Sequence, residues 1–339
     1  MKATITTPTL SNTKREVLHE VVPLVTPFWI CIDPSSLCNI TCKYCVQHDI
    51  KKDKSLPFVK SMMSVSLAKK IIDDLKAFEK PIKVINWYGW GEPLLNKDLP
   101  EMIAYSEKQG VTLSNQTITN GILLTHEMSD RLIASGISRI NISVQSVTED
   151  GYYEICGKKI GLEDYVNNIR YLYEHKGDNL TVYIKIGDMA LKNADEEKKF
   201  YDMFGDICDE IFVEKIINVR EDSLANVNIP VNKENKSVLG FEAIDRKVCT
   251  YLFYRMFICP DGVCALCNAD WYRDYIVGDV TKQSVKEIWT GKALRDLQIG
   301  HLQGRRNENT MCSKCGNIKY YPSPNDNLDA YAEEILKRF

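Results

Sequence analysis

The chain has no run of about eighteen apolar residues, so no membrane span is expected, and no apolar signal segment follows its Met-Lys-Ala-Thr start. Its 43 lysines and arginines stand against 46 aspartates and glutamates, a net charge of −3 that lacks the basic excess of a general nucleic-acid binder. There is no low-complexity tract and no repeat of fixed period, and the five histidines show no metal-ligand spacing. These absences predict a soluble cytoplasmic enzyme of roughly two domains. In a reducing cytosol the twelve cysteines are not expected to form disulfides. Metal is the alternative use for them.

Three cysteines stand out in Cys38-Asn39-Ile40-Thr41-Cys42-Lys43-Tyr44-Cys45. Three thiolates can hold three corners of a four-iron cluster and leave the fourth iron open to a small molecule, whereas four would close it. A zinc site built on the Cys42-x-x-Cys45 pair is the competing reading, but it does not account for the extra cysteine at 38.

From residue 28 to residue 217, apolar runs alternate with amphipathic stretches, the pattern of a parallel sheet covered by helices. Strands are predicted at 28–33, 84–88, 111–119, 139–144, 180–186 and 210–217, and a helix from Ser64 to Phe78 with Leu67, Ile71, Ile72 and Leu75 on one face. Six such units suit a partial (β/α)6 barrel, and ligands collect at the C-terminal ends of parallel strands. The segments read as an N-terminal extension (1–27), the barrel (28–217), a polar linker (218–248), a small cysteine-rich α+β domain (249–316) and a C-terminal helix (317–339).

The three-then-two cysteine spacing, with Tyr44 just before the last cysteine, resembles the radical SAM superfamily. The turn Gly89-Trp90-Gly91-Glu92-Pro93 follows the second strand and resembles the family's Gly-Gly-Glu-Pro element, with Trp90 where the simplest pattern has its second glycine. The resemblance implies that the backbone of this turn and the Glu92 carboxylate hold the amino group of S-adenosylmethionine (SAM). Asn120, Ser143 and Gln145, at the ends of the next two strands, are its further candidate SAM contacts. Asn120 reads equally well as a turn former. Ser143 and Gln145 share a face by the strand period of two. Lys185, near the end of the fifth strand, is a candidate for the SAM carboxylate or the substrate, and otherwise an ordinary exposed lysine.

Six of the twelve cysteines fall in the last third: Cys249, Cys259, Cys264, Cys267, Cys312 and Cys315. Asp261-Gly262 is a good hairpin turn between Phe253–Ile258 and Val263–Leu266. The run from Cys249 to Cys267, continued by Cys312 and Cys315, resembles the SPASM or twitch extension of radical SAM enzymes. With no cysteine after Cys315, the resemblance implies the shorter twitch form, one auxiliary four-iron cluster on Cys249, Cys267, Cys312 and Cys315, with Cys259 or Cys264 as substitutes for one ligand. A zinc ribbon on the two CxxC pairs competes, but their separation exceeds the usual ribbon spacing.

The chemistry so implied is reduction of the first cluster by flavodoxin or ferredoxin, cleavage of SAM to a 5′-deoxyadenosyl radical, and removal of a hydrogen atom from an unactivated carbon. The auxiliary cysteine spacing is similar to that of the aminocyclitol dehydrogenase of butirosin biosynthesis, which favours oxidation or epimerisation of a sugar, cyclitol or nucleotide-linked sugar. Modification of a peptide side chain and a non-catalytic electron-transfer role are the alternatives. Cys156 is the candidate hydrogen donor for an epimerisation, with Cys259 and Cys264 in reserve. Cys31 and Cys208 read as packing residues, and Tyr152, Tyr153 and Trp271 as pocket or core aromatics.

Overall fold

A computed structural model describes residues 1–6, 16–220, 223, 234–238, 240–321 and 326–339. One sheet organises these residues. Its strands, in chain order, are β1 (Thr4–Ile5), β2 (Trp29–Ile32), β3 (Val84–Trp87), β4 (Asn115–Thr119), β5 (Arg139–Val144), β6 (Thr181–Gly187), β7 (Glu210–Glu214), β8 (Arg255–Ile258), β9 (Val263–Ala265) and β10 (Ile276–Asp279). They lie in the order β1-β7-β6-β5-β4-β3-β2-β8-β9-β10. All neighbours are parallel from β1 to β8, and β8, β9 and β10 pair antiparallel. The expected six-unit parallel barrel sheet is present, and antiparallel strands form its C-terminal addition.

The strand alternation separates two faces. Ile30, Ile32, Ile85, Trp87, Ile140, Ile142, Val144, Val182, Ile184 and Ile186 belong to the core beneath the helices. The helix Val65–Leu75 shows how that core is closed. Ser64 caps it by accepting the Leu67 N–H at 3.2 Å, a bond worth about 1 kcal/mol. Ala68, Ile71, Ile72 and Leu75 are buried at helical spacing.

The opposite face of the sheet is polar over its middle strands. Arg139 and Asn141 of β5 are joined by a 2.9 Å hydrogen bond, and Arg139 also pairs with Glu210 of β7 and lies over the Tyr183 ring of β6. Four residues further towards the C-terminal ends, Lys185 of β6 meets Glu214 of β7 at 2.7 Å. Nearer β8 the same face is apolar, with Cys31, Trp90, Phe257, Cys259 and Ala265 in one cluster.

Three elements depart from expectation. The stretch 111–119 is strand only from Asn115, because Val111 and Leu113 both bond to Ile82 and the Thr112 hydroxyl turns back onto the Ile82 and Ser114 carbonyls. The hairpin strand begins at Arg255, since Tyr251–Tyr254 is a single helical turn, and it joins the main sheet beside β2. The C-terminal segment forms short turns at Asn317–Tyr320 and Ala332–Leu336 within its described residues.

Candidate active site with two cysteine clusters

The motifs converge because parallel strands present their C-terminal ends on one edge. The Cys38 loop follows β2, the Gly89 turn follows β3, Asn120 follows β4 and Gln145 follows β5. The loop is braced from below by the helix Glu149–Cys156, whose last carbonyls accept from Thr41 and Lys43 at 3.0 and 2.9 Å.

Cys38, Cys42 and Cys45 lie together. Burial pushes the Cys38 thiol up to about 12, with the Cys45 thiolate and Glu92 adding to the rise. Burial raises Cys42 well above the ordinary thiol range, and Cys45, Cys156 and Cys38 add to it. Cys45 rises chiefly through burial. Three buried thiols packed together would be relieved by a cation that takes the place of their protons. A four-iron cube spreads its thiolates wider than one ion does.

Glu92 is 2 % exposed. Its oxygens accept from the Leu94 N–H at 3.0 Å, the Thr119 hydroxyl at 2.6 Å and the Asn120 N–H at 2.8 Å. Burial outweighs these bonds and lifts its carboxyl to about 7. Among the described residues no cation pairs with it, and an ammonium group fits that need. The turn is locked on both sides: a Cβ on Gly89 would stand 2.1 Å from Asp33 Cγ, and one on Gly91 2.1 Å from the Leu37 carbonyl oxygen.

Gln145 faces the cysteine loop, its side-chain oxygen accepting from Tyr44 and from Cys42 Sγ at 3.4 Å, while its amide donates to the Ser143 carbonyl at 2.9 Å. Asn120 Nδ2 donates to Asn39 Oδ1 at 2.7 Å and so reaches the same loop. Lys185 is paired with Glu214 on the polar sheet face. Cys156 sits apart from that face. It is 1 % exposed in the helix-side core, and its thiol donates to the Tyr152 carbonyl one turn back at 2.9 Å. Tyr152 is likewise buried, its hydroxyl accepting from Gln145 N–H, whereas Tyr153 is exposed.

The second cysteine set also resolves. Burial raises Cys267 first and the thiols of Cys315, Cys312 and Cys249 add to it. Cys249, pushed up to about 11 by burial, feels Cys315, and Cys312, raised by burial, feels Cys249 and Cys315. Cys259 and Cys264 lie elsewhere: Cys259 in the apolar cluster with Trp90, near Arg273 and Asp33, and Cys264 in the helix-side core near Asp279 and Lys70.

Sequence reasoning missed the arginines around this set. Arg306 donates to the Cys315 carbonyl at 3.3 Å and to that of Cys312, Arg220 forms a backbone bridge with Cys315, and Arg255 donates to the side chain of Asn268 beside Cys267. Arg255 is buried against the Tyr251 ring and, among the described residues, pairs with no carboxylate. Buried cations of this kind suit an anionic thiolate cluster. No spacing rule marks an arginine for that task.

The family model for the radical SAM superfamily matches residues 32–202, and that for the SPASM iron-sulfur cluster-binding domain matches residues 249–316. Among curated proteins the chain is similar to the Fe-coproporphyrin III synthase of Methanosarcina barkeri, at 32% identity over 112 residues (33% of this chain, 26% of that protein). It is also similar to the GTP 3′,8-cyclase of Campylobacter lari, at 29% over 171 residues (49% and 48%). The chain thus spans about a quarter to a half of the length of these relatives. Among solved structures it is similar to BtrN in complex with AdoMet and 2-DOIA, with a TM-score of 0.55, 18% identity and coverage of 87% of this chain and 95% of that one. SuiB of Streptococcus suis bound to precursor peptide SuiA gives a TM-score of 0.59, 16% identity and coverage of 89% and 72%. At such identities the likeness is one of fold.

Proposed function

The chain belongs to the radical SAM superfamily and carries its SPASM iron-sulfur domain, and from that premise we propose that it oxidises or epimerises a hydroxyl-bearing carbon of a sugar, cyclitol or nucleotide-linked sugar. The cofactors of such an enzyme are SAM and four-iron clusters. Once reduced by flavodoxin or ferredoxin, they supply a 5′-deoxyadenosyl radical at the mouth of the barrel.

Cys38, Cys42 and Cys45 hold the first cluster in this reading, and Cys249, Cys267, Cys312 and Cys315 the auxiliary one. Glu92 and the carbonyls of the Gly89–Gly91 turn receive the SAM ammonium. Ser143 and Gln145 orient the rest of the molecule.

The observation that carries the substrate reading is the polar sheet face. Towards the C-terminal ends of β6 and β7 it carries Lys185 and Glu214, a donor and an acceptor side by side, which matches a hydroxyl-bearing molecule better than an apolar one. Near the strand ends, the Glu214 carboxylate can accept the substrate hydroxyl while Lys185 holds the same oxygen. Glu214 would take the hydroxyl proton as a carbinol radical becomes a carbonyl, and a cluster held by Cys249, Cys267, Cys312 and Cys315 would supply an acceptor for the accompanying electron.

Placement of Cys156 behind the cysteine loop, with its thiol on its own helix, supports oxidation over epimerisation. Cys259 remains the spare thiol on the substrate side of the sheet.

The experiment is a screen of carbon-deuterated sugars, cyclitols and peptides for deuterium transfer into 5′-deoxyadenosine. Transfer from a carbinol carbon supports the reading, and transfer confined to peptide substrates overturns it. Product oxidation level, compared with that of Cys259→Ala, separates ketone formation from inversion.

A further inference from the structure

Trp90 departs from the simplest form of the SAM turn, and its side chain has no part in holding SAM through backbone. Its indole N–H donates to the carbonyl of Asn268 at 2.8 Å, the residue next to Cys267. Its ring packs 4.9 Å from Phe257 of β8 and 5.9 Å from Phe58. Its own carbonyl accepts from Gln47 Nε2 at 2.7 Å, two residues past Cys45, and its N–H donates to Asp33 Oδ2 at 3.1 Å. Trp90 therefore stands between the two cysteine sets, one hydrogen bond from a neighbour of each.

The link is stiff. Gly89 and Gly91 run so close to Asp33 and the Leu37 carbonyl that a Cβ on either would clash, so the backbone on either side of Trp90 packs directly against its neighbours. The side chain is 4 % exposed and boxed by aromatic rings. On the far side Asn268 is gripped a second time, by Arg255 of β8. Trp90 thus gives the SAM turn a short hydrogen-bonded connection to the residue beside Cys267, through closely packed groups.

We propose that Trp90 is a positioning residue that couples occupancy of the SAM site to the auxiliary cluster, by transmitting the set of the Gly89–Glu92 turn to the loop at Cys267 and Asn268. The proposal rests on the radical SAM reading and adds to it a coupling between the sites. Coupling of this kind is reciprocal: SAM changes the reduction equilibrium of the auxiliary cluster, and the state of that cluster changes SAM affinity by the same factor. A coupling of about fivefold or more is the usual scale for two sites joined through packed elements.

The test is an EPR-monitored redox titration of the reconstituted protein, with and without saturating SAM, in wild type and in Trp90→Phe. Phenylalanine keeps an aromatic ring against Phe257 and removes the indole donor. The wild-type auxiliary midpoint is expected to move on SAM binding, about 59 mV for each tenfold of coupling in a one-electron couple, and the variant to lose most of that movement. An equal shift in wild type and variant overturns the proposal, as does no shift in wild type. If Trp90→Phe fails to take up iron, Gln47→Met, which removes the other hydrogen bond of the link, is read by the same criterion. Formation of 5′-deoxyadenosine by wild type is scored separately. Its absence refutes the radical SAM reading, whereas its presence without a SAM-dependent shift refutes the coupling alone.

Discussion

Replacing Glu92 by glutamine removes the one buried carboxylate in the SAM turn while keeping its shape. In the unliganded protein the carboxyl is lifted from its ordinary value to about 7 by burial. Because the folded-state value lies above the unfolded one, the folded chain keeps the proton longer. The stability from the protonated form is fully present below the ordinary carboxylate range and is lost as pH rises through about 7. A rise from 4.5 to about 7 corresponds to about 3 kcal/mol at neutral pH, a cost that an ammonium ligand relieves. SAM should therefore bind to the ionised form, with affinity falling about tenfold per pH unit below 7 and levelling above it. In Glu92→Gln the amide can keep the Leu94 and Thr119 bonds through its oxygen, but its NH2 then faces the Asn120 N–H, donor against donor. A hydrogen bond to a charged group contributes about 1.5–3 kcal/mol, so SAM should bind about ten- to a hundredfold more weakly, without the pH dependence. Anaerobic calorimetry of SAM binding between pH 6 and 8 measures both effects. A flat profile in wild type, with glutamine within threefold of glutamate, would refute the reasoning.

Alanine at Cys38, Cys42 or Cys45 should abolish 5′-deoxyadenosine formation and leave the auxiliary iron in place, read by iron and sulfide analysis beside product chromatography. Gly91→Ala puts a Cβ 2.1 Å from the Leu37 carbonyl oxygen and 2.3 Å from that of Ser35. The expected result is a loss of about 1–3 kcal/mol in denaturant unfolding together with weakened SAM binding, and normal values of both would refute the packing of this turn. Arg255→Gln withdraws a buried cation from beside Cys267 and Cys249. The auxiliary cluster should then become harder to reduce, and an unchanged midpoint would place Arg255 outside its field.

Strands β2, β3, β5 and β6 were legible because each carries two or three β-branched or aromatic residues to a buried helix-side face, as with Ile140, Ile142 and Val144 of β5. The helix Val65–Leu75 was legible from its cap and spacing for the same reason. The strand at 111–119 was overextended because Val111 and Leu113 look like strand residues, while the deciding contact, to Ile82, lies some thirty positions away. The parallel pairing of β8 with β2 joins residues more than two hundred positions apart, and no local pattern encodes it. The first cysteine set could be read from its spacing, and the second from its resemblance to the SPASM or twitch extension. The arginines beside the second set could not, since a buried arginine looks like a surface one until its neighbours are known. Trp90 was visible as a departure from a motif, but the partner that explains it, Asn268, is supplied by tertiary folding.

The most direct measurement is anaerobic reconstitution followed by iron and sulfide analysis and by 5′-deoxyadenosine release on reduction in the presence of SAM. The account predicts about eight irons per chain, two four-iron clusters, with SAM cleavage that vanishes when Cys38, Cys42 or Cys45 is replaced. Bound zinc without 5′-deoxyadenosine, or cleavage that survives loss of those cysteines, would contradict it.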